Sequence, residues 1–412
     1  MHNEIRITGS KSILQRMMAL AAHSRCGIKL LNYNPCADVL EMEHALLTFG
    51  FHILRDADSA SFQFDLELHR KSNHNYRFTA SATAFRLWLS VLANQPKLHS
   101  RIVLSSALLH RGYKPLEVAL TGMGASITQM DATLEIIGSH LAGGAGELCG
   151  NFSSQFHSSL ILAAPFMQTP LRLQINPDQV SKPYIDLSLN LIRMFGASIQ
   201  QVQDGICISC TNWDLPEEFW VDADISTAAF YAVKGALCPG GIRLKLRLNP
   251  ALPQADAIVF DHLAQMGASV AWDGDICTVM PGSLHGADIC LKDAPDLMPV
   301  LSILALFCEG RTRLGGIGRL IHKESDRVAG ICRAFDLLGV TYHRDADSLT
   351  IHPLDPDNVT PVVLDTQQDH RLVMAFSLLK CRFPQISLCE TASIAKSLPF
   401  SSFHPVPAAP GE

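Results

Sequence analysis

This chain of 412 residues has few aromatic and few charged side chains: 7% of its residues are Phe, Trp or Tyr, and 17% are Asp, Glu, Lys or Arg. It has no basic tail and no basic run interleaved with aromatics, and its formal net charge is -6, so we expect no nucleic-acid partner. Its longest apolar run, 297–308, is too short to span a bilayer and contains Pro299, so we expect no membrane partner. The N-terminal sequence shows no signal-peptide pattern, which predicts a cytoplasmic protein.

The 12 cysteines are scattered along the chain instead of forming a spaced framework. This usage is typical of a reducing compartment, where cysteines serve as small core residues. Cys207 and Cys210 form a C-x-x-C, but they lie in an alternating strand pattern without a second pair, so we expect no metal site. A chain of this length with 48% apolar residues is predicted to form a compact protein of two domains.

Two signals recur along the chain with nearly the same period. Predicted helix starts, each with a Ser or Asp that can cap the first turn, follow one another at steps of 69 to 73 residues: Ser12, Ser81, Ser153, Ser226, Asp296 and Asp369. Helical patterns that end in glycine and lead into a short strand recur at steps of 71 to 74 residues: Gly50, Gly124, Gly196, Gly267 and Gly339. The common period indicates six copies of one long repeat.

Each repeat of about 72 residues reads as an alternation of strands and helices, which predicts an α/β fold with three repeats in each of two lobes. We predict that residues 11–223 form the first lobe and that residues 1–10 with 224–412 form the second. If the N-terminal strand at 4–8 belongs with the last repeat, which otherwise lacks a full complement of strands, the chain is expected to cross between the two domains twice.

Cations gather at predicted helix starts, where the helix dipole normally disfavours them. These residues are Lys11 and Arg16, Lys323 and Arg327, and His370 and Arg371. Because helix N-termini attract anions, cations placed there indicate a site for a multiply charged anion such as a phosphate or carboxylate. Glu324 lies among these cations, and Asp296 stands where a helix cap is expected. A carboxylate held ionised beside cations can transfer protons, although capping alone would also explain Asp296.

Several motifs identify a family that the chain resembles over essentially its full length, the 3-phosphoshikimate 1-carboxyvinyltransferases, also called 5-enolpyruvylshikimate-3-phosphate (EPSP) synthases. The matching motifs are GSKS at 9–12 with Arg16, SSQ at 153–155, VSKPYIDL at 180–187, KESDR at 323–327, DHR at 369–371 and KSLPF at 396–400. The resemblance implies a fold of two lobes, each with three βαβαββ units, in which helix N-termini face the cleft between the lobes.

The resemblance also implies an activity, namely transfer of the enolpyruvyl group of phosphoenolpyruvate to the 5-hydroxyl of shikimate 3-phosphate with release of phosphate. It implies that the reaction needs no cofactor and no metal. Separately from the resemblance, we expect the chain to be a monomer. Asp296 would accept the hydroxyl proton, and Glu324, assisted by Lys11, would handle the proton at the methylene carbon. The residues implied to hold shikimate 3-phosphate are Lys11, Ser12, Arg16, Ser153, Ser154, Gln155, Ser181, Tyr184, Asp296 and Lys323. Those implied to hold phosphoenolpyruvate are Lys11, Arg111, Gln155, Arg327, Arg371 and Lys396.

The chain departs from the family pattern at the second helix start. Where the family usually has N-A-G-T-A-x-R, this chain has Ala80 in place of Asn and Ala82 in place of Gly. Gly112 also replaces the first Pro of the family motif that follows Arg111. Two alternatives therefore stay open: enolpyruvyl transfer to UDP-N-acetylglucosamine, and a catalytically silent homologue that only binds anions. We find no cysteine in the stretch before Arg111 where the former family carries its reactive one.

Overall fold

The computed structural model describes residues 4–146, 148, 153–176, 179–203 and 205–398, and these residues form two compact units. The first unit contains the described residues of Gly9–Asp222 and Asn249–Pro253. The second unit contains those of Met1–Thr8, Ala223–Leu248 and Gln254–Glu412.

The α-helices of the described residues are α1 Lys11–Ser24, α2 Ala37–Phe49, α3 Leu66–Lys71, α4 Ala82–Ala93, α5 Ser106–Arg111, α6 Lys114–Gly122, α7 Ser154–Ala163, α8 Lys182–Met194, α9 Ile225–Leu237, α10 Val259–Gln265, α11 Met298–Ala305, α12 Arg327–Leu338 and α13 His370–Leu379. Short 3-10 helices lie at Ala164–Phe166, Ala255–Ile258, Pro295–Leu297, Gly318–His322, Pro356–Asn358 and Thr391–Lys396. Across the described part of the chain, no helix is both long and apolar enough to cross a membrane.

The strands are β1 Glu4–Arg6, β2 Ile28–Leu31, β3 Phe51–Arg55, β4 Ser59–Phe64, β5 Asn75–Phe78, β6 His99–Leu104, β7 Ser126–Met130, β8 Thr133–Ile137, β9 Gly144–Gly146, β10 Leu171–Gln174, β11 Ala197–Val202, β12 Gly205–Cys210, β13 Glu218–Trp220, β14 Ile242–Lys245, β15 Ser269–Asp273, β16 Ile276–Met280, β17 Asp288–Cys290, β18 Thr312–Gly315, β19 Tyr342–Arg344, β20 Ser348–Ile351, β21 Val362–Asp365 and β22 Ile386–Cys389.

Each unit contains three small sheets built on one plan. The first unit has the strand orders β13-β2-β4-β3, β5-β6-β8-β7 and β9-β10-β12-β11. The second unit has the orders β1-β14-β16-β15 and β17-β18-β20-β19 together with the pair β21-β22. In every four-stranded sheet the first two strands are parallel and the remaining neighbours antiparallel. The predicted α/β class with three repeats in each unit is confirmed.

A parallel pair needs a crossover connection, and a helix supplies it in four of the sheets. Helices α4, α7, α11 and α13 each join the two parallel strands of one sheet. The other two sheets receive their parallel edge strand from a distant part of the chain: β13 pairs with β2, and β1 pairs with β14. The N-terminal ends of α7 and α13 carry some of the residues discussed below, namely Ser154 and Arg371.

The expected partner of the N-terminal strand was wrong. Glu4 pairs with Arg243 of β14, in the fourth repeat, and not with the last repeat. The reason is topological. Strand β13 precedes α9 along the chain but pairs with β2 in the first unit, so β14 is left with an open edge that β1 fills.

The crossover helices are buried on all sides, which is typical of helices that form a core. In α4 every residue except Thr83 is buried, and in α11 every residue is buried. Helices α1, α4 and α7 pack against one another in the first unit, and α9, α11 and α13 pack together in the second. Because such helices expose only their ends, polar residues at their N-termini are the ones able to meet a ligand.

Three of the six predicted helix caps are confirmed. Ser81, Ser153 and Asp369 each accept a hydrogen bond from a backbone N–H of the first turn. The other three predictions were wrong. Helix α1 begins at Lys11, one residue before Ser12, so Ser12 lies inside the helix. The Ser226 hydroxyl donates to Asp256 while Asp224 caps α9, and the Asp296 carboxylate accepts from cations instead of capping a helix. The glycine series is confirmed, since all five glycines have the left-handed backbone that glycine tolerates best, with φ from 69° to 117°.

Candidate active site

The centre of the second unit's charged network is Arg327, the first residue of α12, whose side chain is 1% exposed. Its guanidinium donates to three carboxylates: Nη1 to Oδ1 of Asp296 at 2.7 Å, Nη2 to Oε2 of Glu324 at 2.8 Å and Nε to Oδ2 of Asp369 at 2.8 Å. A planar guanidinium with five N–H donors can serve several carboxylates at once. Arg327 therefore fixes the positions of Asp296 and Glu324 relative to each other.

Asp296 accepts from three cations. Besides Arg327, it accepts from Nη2 of Arg371 at 2.9 Å and from Nζ of Lys323 at 3.2 Å. Burial alone would raise the pKa of Asp296, but Arg371, Lys323 and Arg327 outweigh it and hold that pKa well below its usual range. Burial lowers the pKa of Lys323, and Asp296 partly opposes that change. In this arrangement Asp296 is firmly ionised and is a weak base.

Glu324 lies between two cations. It accepts from Arg327 and, through Oε1, from Nζ of Lys396 at 3.4 Å. Lys396 ends the 3-10 helix Thr391–Lys396, and positions 399 and 400 of the KSLPF motif lie outside the described residues. The six residues of this unit that the sequence assigned to the site are thus joined in one network: Asp296, Lys323, Glu324, Arg327, Arg371 and Lys396.

Asp369 belongs to this network although the sequence predicted it only as a helix cap. It caps α13 by accepting from the Arg371 N–H at 2.9 Å, and it also accepts from Ser325 Oγ at 3.1 Å. Its side chain has no exposed surface, so Arg327 is the cation that balances a fully buried charge. No local pattern signals this pairing, because 42 residues separate the two partners.

A second carboxylate that the sequence did not single out is Asp256, in the 3-10 helix Ala255–Ile258. It is buried and accepts from the Ser226 hydroxyl, while its Oδ1 has no hydrogen-bond partner among the described residues. Burial and the neighbouring charge of Asp296 raise the pKa of Asp256 to about 6. A buried carboxyl group whose pKa is raised towards neutral pH thus lies within the electrostatic influence of Asp296.

In the first unit, Lys11 opens α1 and forms an ion pair with Asp38. The distance from its Nζ to Asp38 Oδ2 is 3.0 Å, and 15% of the lysine side chain is exposed. Gln15, one turn further along α1, donates to the Asp38 carbonyl at 2.9 Å and to the Ser81 hydroxyl at 2.9 Å. This arrangement holds the N-termini of α1 and α4 in fixed relation.

Arg16 is buried at the junction of α1, α7 and α8. It donates from Nε to Ser188 Oγ at 2.8 Å, from Nη2 to Ser158 Oγ at 3.0 Å and from Nη1 to the Ser12 carbonyl at 2.8 Å. Nη2 also lies 3.2 Å from the carbonyl of Tyr184. Burial lowers the pKa of its guanidinium to about 10, because a buried charge is unfavourable without compensation. An anion that approaches Arg16 would therefore stabilise its charge. Ser12 and Tyr184, both half-buried, are thereby tied to Arg16.

A third set of contacts surrounds Arg86, which the sequence placed in a motif but not in the site. Its Nη1 donates to Gln155 Oε1 at 2.6 Å and to Ser153 Oγ at 3.3 Å, and its Nη2 donates to the Arg111 carbonyl at 2.7 Å. Gln155 in turn donates to Thr83 Oγ1 at 2.8 Å. Arg86 therefore gathers three residues that the sequence assigned to ligand binding.

The two remaining predicted residues lie at helix N-termini. Ser154 is the buried first residue of α7, and Ser181 precedes α8 with a left-handed backbone (φ 55°) that is uncommon for a residue other than glycine. Such strain is concentrated at functional sites, so Ser181 is a candidate for a ligand contact. Among the described residues, no group of three or more His, Cys, Asp or Glu is arranged to hold a metal ion.

Known proteins resemble this chain over nearly all of its length. The family model for EPSP synthase (3-phosphoshikimate 1-carboxyvinyltransferase) matches residues 1–402. Proteins named 3-phosphoshikimate 1-carboxyvinyltransferase from Histophilus somni and Haemophilus ducreyi are 29% and 28% identical to it, with 98% and 96% of this chain covered and 96% and 93% of theirs.

Solved structures share the fold. An EPSP synthase from Acinetobacter baumannii superposes with a TM-score of 0.77 at 23% identity, covering 96% of this chain and 93% of its own. The enolpyruvyl transferase NikO from Streptomyces tendae superposes with a TM-score of 0.71 at 16% identity, covering 96% and 92%. The resemblance found in the motifs is confirmed by a family match over residues 1–402, and the chain belongs to the EPSP synthase (3-phosphoshikimate 1-carboxyvinyltransferase) family.

Proposed function

We propose that this chain transfers the enolpyruvyl group of phosphoenolpyruvate to the 5-hydroxyl of shikimate 3-phosphate and releases phosphate. The observation that carries the proposal is the network in which Asp296 and Glu324 are held by Arg327, Arg371, Lys323 and Lys396. Two carboxylates able to transfer protons stand among four cations, and the two proposed substrates together bring two phosphates and two carboxylates. Local cations are needed to offset the mutual repulsion of these four anionic groups in a protein of net charge -6.

The same cations are proposed to serve both the carboxylates and the substrates. Arg327, Arg371 and Lys323 donate to Asp296, so an incoming phosphate or carboxylate competes with Asp296 for them. Each cation that turns to a substrate anion removes one cause of the low pKa of Asp296. Substrate binding would therefore raise that pKa towards the range in which a general base is effective.

The proposed chemistry is an addition followed by an elimination. Asp296 takes the proton of the 5-hydroxyl while that oxygen attacks C2 of phosphoenolpyruvate, and Glu324, in its protonated form, delivers a proton to C3, which becomes a methyl group. In the second stage the Glu324 carboxylate takes a proton back from C3, the C2–O bond breaks with its electron pair leaving on the phosphate, and the C2–C3 double bond reforms. Lys11 assists with the proton exchanged at C3. The net change is one new C–O bond and one released phosphate.

Residues of the first unit are proposed to bind and orient the two substrates. Ser12, Arg16, Ser153, Ser154, Ser181 and Tyr184, with Lys323 of the second unit, are assigned to shikimate 3-phosphate. Arg111, with Arg327, Arg371 and Lys396, is assigned to phosphoenolpyruvate, and Lys11 and Gln155 to both. Arg86 donates hydrogen bonds to Gln155 and to the Arg111 carbonyl, which supports a shared role of Gln155 and Arg111 in binding phosphoenolpyruvate.

We also propose that the chain acts as a monomer in the cytoplasm, without a cofactor or a metal. We further propose that the protein functions as two lobes, one formed by residues 11–223 and the other by residues 1–10 with 224–412.

Phosphate release from phosphoenolpyruvate tests the proposal. We expect release in the presence of shikimate 3-phosphate and none with UDP-N-acetylglucosamine or without an acceptor. Release with the nucleotide sugar alone would assign the chain to the sister activity. The absence of release with either acceptor, in a sample that binds shikimate 3-phosphate, would identify a silent anion-binding homologue.

A further inference from the structure

The turn before α4 is held by a carboxylate from another element. Glu41, on the half-buried face of α2, accepts through Oε1 from the N–H groups of Thr79 and Ala80, both at 2.9 Å, and from the Thr79 hydroxyl. Its Oε2 accepts from the Ser81 N–H at 2.9 Å. Three consecutive backbone donors thus converge on one side chain. Hydrogen bonds to a charged acceptor are about twice as strong as neutral ones, so this contact orders the turn strongly.

The residues fixed by Glu41 lead directly to proposed ligand-binding groups. Ser81 caps α4 by accepting from the Ala84 N–H at 3.2 Å, and its hydroxyl accepts from Gln15. Thr83, two residues later, accepts from the amide of Gln155. A displacement of the turn would therefore be passed to Gln155, which is assigned to both phosphoenolpyruvate and shikimate 3-phosphate.

The turn contains Ala80, where the family pattern that the sequence resembles usually has Asn. The alanine side chain has no polar atom with which to hold the turn. The acceptor that orders these N–H groups is supplied instead from α2, 38 to 40 positions earlier in the chain.

We propose that Glu41 is a positioning residue for the substrate-binding side chain of Gln155, acting through the 79–81 turn and Thr83. It does not touch the substrate in this proposal. The inference rests on the proposed function for its kinetic consequence, but the ordering of the turn by Glu41 can be measured whether or not the chain is active.

The test compares Glu41→Ala and Glu41→Gln with the parent, using Glu67→Ala as the matched control. Glu67 lies in α3 of the same unit and makes an exposed ion pair with Arg70. Hydrogen exchange of peptides covering 79–84 should be about tenfold faster in Glu41→Ala, and unchanged in Glu67→Ala. Glu41→Gln keeps the Oε1 acceptor for Thr79 and Ala80 but loses the charge and the Oε2 acceptor for the Ser81 N–H, so its exchange should lie between that of the parent and that of Glu41→Ala.

Steady-state kinetics give the second readout. We expect Glu41→Ala to raise KM for phosphoenolpyruvate and KM for shikimate 3-phosphate about tenfold each, while kcat stays within about twofold. Glu41→Gln should restore both KM values to within about threefold of the parent. An unchanged exchange rate, unchanged KM values, or a Glu41→Gln variant that behaves like Glu41→Ala would overturn the positioning role. If no variant and no parent turns over while exchange changes as expected, the proposed function fails and the ordering by Glu41 stands.

Discussion

Replacing Arg327 with methionine should destabilise the second unit, because it leaves a fully buried charge without its cation. Arg327 is 1% exposed and Asp369 is 0% exposed, and Nε of Arg327 lies 2.8 Å from Oδ2 of Asp369. Removing one partner of a buried ion pair typically costs about 3 to 5 kcal/mol. Asp369 keeps its bonds from Ser325 Oγ and the Arg371 N–H, so we expect the lower end, about 3 kcal/mol.

The cost should depend on pH with a definite sign. In the parent, cations including Arg327 hold the pKa of Asp296 below its usual range, so this carboxyl contributes stability above its unfolded pKa and loses it as pH falls through the folded pKa. Without Arg327, the folded pKa of Asp296 rises, and protonation of that carboxyl relieves its buried charge. The deficit of Arg327→Met should therefore be smaller at about pH 5 than at about pH 8.

Urea denaturation of the two proteins side by side measures the deficit. Arg70→Met is the control, because Arg70 pairs with Glu67 on the surface and such pairs contribute only about 0 to 1 kcal/mol. The double variant Arg327→Met with Asp369→Asn should recover part of the loss, since it also removes the unbalanced charge. A loss in Arg327→Met no larger than that in Arg70→Met, or one that grows as pH falls, would refute this reasoning.

Three further predictions follow from the site. Asp296→Asn should lower turnover by about 10²-fold or more and leave the affinity for shikimate 3-phosphate within about tenfold, as measured by steady-state kinetics and calorimetry; near-normal turnover would exclude Asp296 as the base. Ala82→Gly should strengthen inhibition by glyphosate, a longer analogue of phosphoenolpyruvate, because the buried Ala82 methyl group would crowd glyphosate in the parent. We expect the inhibition constant, divided by KM for phosphoenolpyruvate, to fall about five- to 150-fold. If this ratio does not change, Ala82 lies away from the phosphoenolpyruvate site. Asp256→Asn should raise the free energy of unfolding by up to about 3 kcal/mol at about pH 8 and by little below about pH 4. The reason is that the pKa of Asp256 is raised to about 6 in the folded protein, so this carboxyl lowers stability as pH rises through that value. An equal gain at both pH values in urea denaturation would contradict this prediction.

The repeat was the part of the fold that the sequence could predict, because helix caps and terminal glycines are local signals with a fixed chemistry. Gly50 and Gly339 end their helices with left-handed backbone as expected, and Ser81 caps α4. The pairing of the N-terminal strand could not be read in the same way. It depends on which sheet edge is left open after β13 has paired with β2, which is a property of the whole topology.

The candidate site, too, could be predicted from the sequence only where local motifs identify its residues. The residues of KESDR and DHR were identified from motifs, and the structure joins five of them into one network: Lys323, Glu324, Arg327, Asp369 and Arg371. The roles of Asp369 and Asp256 were missed because their partners, Arg327 and Ser226, lie 42 and 30 positions away. Asp296 was expected as a helix cap on local grounds, but its carboxylate instead accepts from three cations brought together by tertiary packing.

Identification of the reaction product tests the central claim most directly. The full chain would be incubated with phosphoenolpyruvate labelled with carbon-13 at C2 and with shikimate 3-phosphate, and the mixture followed by NMR. We predict one enol ether, with the labelled carbon bonded to the 5-oxygen of the shikimate ring, formed in equal amount with free phosphate. Unreacted phosphoenolpyruvate, or a label attached to any other oxygen, would contradict the proposed reaction.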